Sequence, residues 1–244
     1  MLTSDGTVFL LDVDDTLLDN DCFGADLGAR LERAFGAAER DRYWSIYVAL
    51  RDELGYADYL GALQRFRDGV EECPELLQMS VFLLDYPFAD RLYPHALDAI
   101  AHLRTLGHTA VLSDGDIVFQ PRKIQRSGIW DAVHGEVQIT VHKEQALAAV
   151  QRRFPARHYV MVDDKPAVLA AMKRVLGDRV STVFVRQGHY ARTAIANAGT
   201  ASSAVADPPP DFATDVIGDL RDAKLDDFLA MATNSTAAAQ KEPA

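Results

Sequence analysis

Cysteine is nearly absent from this chain. Its 244 residues hold two, Cys22 and Cys73, too few for a disulfide framework and without the spacing of metal ligands. Positive charge is also scarce: 25 Lys and Arg face 36 Asp and Glu, giving a formal net charge of −11. That balance leaves no broad basic surface to neutralise a phosphate backbone, so nucleic acid is not an expected partner, although a small phosphorylated molecule needs only local positive charge. No apolar run is long enough to span a bilayer, and the N-terminal MLTSDG lacks the charged and apolar regions of a signal peptide. A cytoplasmic protein without a membrane partner is the expectation. Internal repeats, a Gly-rich phosphate loop and a histidine pair at metal-ligand spacing are all missing, and the seven histidines read as surface or hydrogen-bonded residues.

What is present is ordinary globular composition, 48% hydrophobic, with enough chain for one full core plus an insertion. Residues 8–18, VFLLDVDDTLL, run from an apolar stretch into Asp12, Asp14, Asp15 and Thr16, the profile of a buried parallel strand ending in a polar loop. After Asn20 the pattern turns helical. Helices are expected from Phe23 to Phe35, around Tyr43 to Leu54, from Tyr56 to Phe66 and from Pro74 to Leu84, with no convincing strand before Ala89. From Tyr93 onward strands and helices alternate. Strands are expected at Thr109–Leu112, Val137–Val141, Tyr159–Val162, Val180–Val185 and Asp215–Ile217, with a short helix from Pro121 and a closing helix from Leu220 to Leu229.

This order predicts an α/β, Rossmann-like, mostly parallel sheet with helices on both faces, plus an inserted all-helical segment. Residues 1–19 and 90–231 would form the core and 20–89 the insertion. The segment NAGTASSAVADPPP at 197–210 reads as a loop, and 232–244 as a disordered tail. Trp44, Trp130 and the Tyr43/Tyr47 face read as helix packing, and Arg65 and Arg67 as solvated.

Four polar clusters fall near strand ends or helix starts: Asp12/Asp14/Thr16, Ser113, Lys143 and Asp163/Asp164. In open α/β sheets ligands bind beyond the carboxyl ends of the strands, which makes these clusters functional candidates. A carboxylate can attack phosphorus and split one hard displacement into two easier ones, and a magnesium ion with a lysine would offset the repulsion between two anions. Taken in order, LLDVDDTLL, VLSDGD, Lys143 in VHKEQAL and MVDDKP resemble the four signature motifs of the haloacid dehalogenase-like superfamily, across nearly the whole chain.

The resemblance implies a Mg²⁺-dependent hydrolase of a small phosphorylated metabolite, with residues 20–89 as a helical cap. It implies Asp12 as the nucleophile and Asp14 as the general acid and base. It also implies that Ser113, Asp114 and Lys143 contact phosphate, that Thr16 braces the loop, and that Asp12, Asp14 through its carbonyl, Asp163 through water and Asp164 hold the metal. Three positions depart from the usual pattern. Asp15 stands where glycine is common and reads as an outward-pointing turn residue. Asp114 replaces asparagine, and Glu144 replaces the proline after Lys143, which leaves Lys123 and Lys165 as rivals for the lysine role. A dehalogenase is disfavoured because departing halide needs no acid at Asp14. A phosphomutase of the β-phosphoglucomutase type and a non-enzymatic phospho-acceptor domain remain as alternatives.

Overall fold

The computed structural model describes residues 6–197 and 206–229. The expected tail at 232–244 and most of the expected loop at 197–210 lie outside them. The strongest apolar run forms β1 (Thr7–Leu11), joined by β2 (His108–Asp114), β3 (Val137–Thr140), β4 (His158–Asp163), β5 (Val180–Val185) and β6 (Phe212–Thr214). They make one sheet in the order β3-β2-β1-β4-β5-β6, and every neighbouring pair is parallel. The chain therefore builds outward from β1 on one side, then returns to build outward on the other. The reversal falls between β1 and β4, where open α/β sheets leave a crevice beyond the strand ends.

Both faces of the sheet are covered, which is why β1 alternates nothing and buries everything. Phe9 and Leu11 belong to one core with Val111, Val160 and Val183, while Val8 and Leu10 point the other way into a second core with Ala110, Leu112 and Met161. The first face carries α5 (Ala96–Leu106), α6 (Phe119–Arg126) and α7 (Ile129–Ala132) through Ile100, Leu103, Ile124 and Ile129. The second carries α8 (Leu147–Arg153), α9 (Pro166–Leu176) and α10 (Gly188–Asn197) through Val150, Leu169, Met172 and Ala191. Phe9, Leu10 and Leu11 are fully buried, and each such side chain stabilises by about 1.5–3 kcal/mol. No described helix is long and apolar enough to cross a membrane.

Between β1 and α5 the chain makes α1 (Asn20–Phe35), α2 (Ala37–Leu54), α3 (Tyr59–Phe66) and α4 (Glu75–Asp85). Asp19 caps α1 by accepting from the Cys22 amide at 2.8 Å, and Asp58 caps α3 by accepting from Gly61 at 2.6 Å. The strands of chain entering and leaving this helical segment run side by side. Leu18 and Leu92 form an antiparallel bridge, the Asp19 amide donates to the Arg91 carbonyl at 2.7 Å, and the Tyr93 amide donates to Leu17 at 3.0 Å. Leu27, Leu31, Phe66, Met79 and Leu83 continue the first core into the four helices.

The structure corrects the sequence reading at several elements. The last strand lies at Phe212–Thr214 rather than Asp215–Ile217, and a 3₁₀ helix, Ile217–Asp222, followed by a helical turn at 225–229 replaces the single closing helix. Helix α6 begins two residues before Pro121, whose missing amide costs nothing in a first turn. Helix α10 was not anticipated. Asp15 points inward: it is 1% exposed at φ 59°, and its Oδ1 accepts from the Asn20 amide at 3.0 Å and the Asp21 amide at 3.3 Å. Gly188, at φ 71°, makes the room. A Cβ placed there would lie 2.2 Å from Asp15 Cβ, far inside contact distance.

Gly188→Ala should therefore cost about 2–4 kcal/mol from the left-handed backbone and the clash together. At this chain length that lowers the melting temperature by roughly 5–15 °C. Gly128→Ala, at a left-handed φ 83° with only Leu97 Cδ1, at 3.9 Å, near its added Cβ, should cost only about 1–2 kcal/mol. Thermal unfolding of the two variants checks this; a Gly188→Ala protein melting with the parent would contradict the packing described.

Candidate active site

The register of the sheet assembles the site. Leu11 pairs with Val111 on one side and Val162 on the other, and the Asp12 amide extends the ladder by donating to the Val162 carbonyl at 3.0 Å. Asp12 thus leaves β1 beside Asp163, the last residue of β4. Lys143 comes to them from the turn between β3 and α8. Its Nζ donates to Asp12 Oδ1 at 2.6 Å and to Asp163 Oδ2 at 2.8 Å, and its side chain is 1% exposed. Burial pulls the ammonium's pKa down, but Asp12, Asp163 and Asp114 outweigh it and hold the group above the ordinary lysine value. Of the three lysines considered from the sequence, Lys143 is the one bonded to Asp12.

One ammonium does not satisfy this cluster. Asp163 is fully engaged, since its Oδ1 also accepts from the Lys165 amide at 2.8 Å. Asp12 Oδ2 and both oxygens of Asp164, by contrast, are buried and have no hydrogen-bond partner among the described residues. Burial, reinforced by Asp163, pushes the Asp164 carboxyl up to about 9, and burial raises that of Asp163 as well. Unpartnered buried carboxylate oxygens are costly unless a cation completes them. Asp12, Asp163 and Asp164 each place an oxygen within 4.8 Å of the others, so the set is able to hold a metal ion, and all-oxygen donors suit a hard divalent cation. Lys165, which stacks its Nζ 4.6 Å from the Tyr190 ring centroid, is a second cation held above its usual pKa: burial opposes the charge, and Asp12 and Asp164 outweigh it.

A second carboxylate has its own lysine. Asp14 Oδ1 accepts from Lys123 Nζ at 2.7 Å, and its Oδ2 accepts from Gln120 Nε2 at 3.0 Å. Both donors stand on α6. Gln120 also donates to Ser113 Oγ at 3.0 Å, so it ties the end of β2 to the loop after β1. The Lys123 side chain is fully buried and donates further to Asn20 Oδ1 at 3.0 Å, at the first residue of α1. Rings of Phe23, Tyr59, Phe88 and Phe119 surround its Nζ with centroids 5.5–5.8 Å away, close enough for cation–π attraction. The sequence reading had Lys123 only as a rival for the place Lys143 occupies, and it missed Gln120. The single available signal was their spacing, i and i+3 on one helix that starts just after Ser113.

The remaining motif residues have local duties. Asp114, at the end of β2, accepts from Thr140 Oγ1 at 2.6 Å, and burial raises its pKa. Thr16 is fully buried, yet its Oγ1 has no partner among the described residues, so its hydroxyl does not brace the loop. Backbone bonds do that instead: Leu17 and Leu18 amides donate to the Val13 carbonyl at 2.9 and 3.0 Å, and Asp15 donates to Leu18 at 2.8 Å. Burial, with Asp21 and Asp14 nearby, raises the Asp15 carboxyl to about 6, and His189 stands 3.4 Å from its Oδ2. His189 and Arg192 of α10 both pair with Asp21 of α1, which joins the helical segment to the sheet.

Asp14, Asp114 and Lys165 face a cavity of about 400 Å³ between the strand ends and helices α1 and α2. The three buried acids and Lys143 do not themselves line it; their neighbours in sequence Asp14 and Lys165 do, and Asp14 is held on both oxygens.

The sequence profile of the haloacid dehalogenase-like hydrolases matches residues 7–175. Among solved structures, a haloacid dehalogenase-like hydrolase from Burkholderia xenovorans LB400 is 54% identical, with 91% of this chain and 98% of that one covered and a TM-score of 0.81. The L-2-haloacid dehalogenase of Xanthobacter autotrophicus shares the fold at 18% identity, covering 88% and 96% of the two chains with a TM-score of 0.55. So does the HAD-hydrolase YfnB of Bacillus subtilis, solved bound to magnesium, at 16% identity, 89% and 97% coverage and a TM-score of 0.58. A search of curated proteins returned no match. With its profile match running from β1 into α9, across every residue of the acid cluster and both buried lysines, this chain belongs to the haloacid dehalogenase-like hydrolases.

Proposed function

We propose that this hydrolase cleaves small phosphomonoesters with Mg²⁺, and that Asp12 carries the phosphoryl group between two displacements. The observation that carries the reading is the division of labour among the buried acids. Asp163 has both oxygens engaged, whereas Asp12 Oδ2 and Asp164 are left bare. Asp12 and Asp164 would hold the ion directly, the Asp14 carbonyl would join them, and Asp163 would reach it through water. Bound there, Mg²⁺ supplies the positive charge that lets a carboxylate approach a phosphate; at 4 Å two like unit charges repel by about 4 kcal/mol at an effective dielectric of 20.

The chain's own groups do the rest. An Asp12 oxygen forms a bond to phosphorus as the bond to the leaving alcohol's oxygen breaks, and Asp14 gives that oxygen a proton. Water then attacks phosphorus, Asp14 takes its proton, and the bond between phosphorus and Asp12 breaks to release phosphate. Lys143 keeps Asp12 oriented through Oδ1. Ser113 Oγ accepts from Gln120, and its own proton has only the Asp114 carbonyl at 3.5 Å, so it is available to a phosphoryl oxygen. Departing halide would need no proton, whereas both oxygens of Asp14 are positioned by dedicated donors. Helices α1–α4, tethered by the paired linkers, would act as a cap that excludes bulk water.

Asp12→Asn should reduce turnover of an aryl phosphate by at least about a thousandfold with the fold retained by circular dichroism; activity within tenfold of the parent would remove Asp12 as the nucleophile. Asp14→Asn should slow esters of basic alkoxides far more than esters of acidic phenols, as initial-rate measurements across leaving groups will show, because proton donation matters most where the leaving group is basic. Equal losses across the series would count against the acid role.

Metal binding should be coupled to pH. The Asp164 carboxyl titrates at about 9 in the folded chain, against an ordinary 3.8, so the folded state keeps a proton that the unfolded chain has released across that window. Stability of the metal-free protein therefore falls as pH rises through it. A cation at Asp164 must displace the proton, so Mg²⁺ affinity should rise by up to about tenfold per pH unit below 9. Calorimetric titrations at pH 6 and pH 8 measure this directly. Equal affinities, or undiminished binding by Asp164→Asn, would contradict the site.

A further inference from the structure

The cavity above Asp14 is built to receive a ring. Three residues of α2, Trp44, Tyr47 and Arg51, line it at i, i+3 and i+7, which places them on one helix face. Tyr56, just past the end of α2, lines it as well. The Trp44 and Tyr47 rings meet edge to face at 5.4 Å, and Tyr47 stacks on Tyr59 at 4.7 Å, so that wall is braced before any ligand arrives. Tyr56 differs: it is half-buried, faces the cavity and packs against no other aromatic ring among the described residues. Its face is free for a flat partner, and an offset-stacked or edge-to-face aromatic pair gains free energy beyond its area burial, which a saturated ring of similar size does not.

The same cavity is lined by a residue without a side chain. Gly24 sits in the second turn of α1, inside a helix that glycine weakens, and a Cβ added there would meet nothing within 4 Å. One turn on, a Cβ added at Gly28 would make ordinary contact, 3.5 Å from Trp44 Nε1, so the open space is confined to Gly24. Arg51 lines the cavity with the adjacent Asp52, at 3.8 Å, as its only ion-pair partner among the described residues, so its guanidinium is available to an acceptor on a ligand. A volume of about 400 Å³, with one aromatic wall beside a charged lining that includes Asp14, Asp114 and Lys165, has the size of a small-molecule pocket.

We infer that the alcohol portion of the substrate carries a flat aromatic or heteroaromatic ring, which seats against Tyr56 and over Gly24 with a polar acceptor toward Arg51. This rests on the phosphomonoesterase reading and adds the substrate class to it. With Mg²⁺ present, kcat/KM is compared for benzyl phosphate, its saturated counterpart cyclohexylmethyl phosphate, and ethyl phosphate. Benzyl phosphate should exceed cyclohexylmethyl phosphate by at least about tenfold, chiefly through KM. Tyr56→Leu, which keeps bulk and removes the ring, should bring that ratio below threefold. Gly24→Leu, which fills the cavity from the helix that tolerates a side chain, should lower benzyl phosphate turnover at least tenfold more than ethyl phosphate turnover. Efficient hydrolysis of all three esters at similar rates, or a ratio unmoved by Tyr56→Leu, overturns the ring preference while leaving phosphomonoester hydrolysis standing. Failure to hydrolyse any of the three overturns both.

Discussion

The buried ammonium of Lys143 is the interaction on which the rest of the site depends. It lies 131 residues after Asp12 and 20 before Asp163, yet it bonds both, Asp12 just past the end of β1 and Asp163 at the end of β4. Without it, neighbouring carboxylates would sit together in a medium where repulsion is barely screened. With it, one oxygen of Asp12 and one of Asp163 are neutralised, and Asp12 Oδ2 and the whole of Asp164 stay uncompensated. The sheet thus holds an anionic hole open at its switch point. The buried carboxylate oxygens left over there form a set able to hold a metal ion.

The two carboxylates of the first motif are treated in opposite ways. Asp12 lies under the surface, 3% exposed, bonded to one lysine and set among other acids. Asp14 borders the cavity, with Lys123 on one oxygen and Gln120 on the other. Lys123 also touches Asn20 and sits among rings from α1, α3 and α6 and from Phe88 near the return linker. The position of Asp14 is therefore coupled by packing to the helices above it. Asp15 strengthens that coupling: turned inward, it bonds the amides that open α1 and faces His189 of α10. Three acids of one motif, Asp12, Asp14 and Asp15, thereby serve the acid cluster, the cavity and the junction with the helices of residues 20–85.

Much of this architecture was legible in the sequence because parallel strands buried on both faces leave continuous apolar runs, at β1, β2, β4 and β5, and the first three of these end in polar clusters that form the site. The helices of 20–89 were legible by periodicity, although α2 begins at Ala37, well before Tyr43. Helix α10 was missed because its sequence, GHYARTAIAN, buries only Gly188 and Ala191, too little for a periodic signal. Strand β6 was misplaced by three residues because it is a short edge strand whose alternation, Phe212 to Thr214, covers a single turn of pattern. Asp15 was misread because turn preference describes the backbone, which is indeed left-handed, and says nothing of which way the carboxylate points. Lys123 was undervalued for a different reason: an ammonium is ordinarily exposed, and its burial depends on Asp14, Phe23, Tyr59 and Phe88, all on earlier elements, with only Phe119 on its own helix, which a local pattern does not encode.

A crystal structure with Mg²⁺ and beryllofluoride, a mimic of a phosphoryl group on a carboxylate, tests the central claim most directly. The account predicts beryllium bonded to Asp12, the cation on Asp164, and Lys143 still bridging Asp12 and Asp163. Beryllium on another carboxylate, or the cation seated at Asp15, Asp21 and His189 instead, would contradict it.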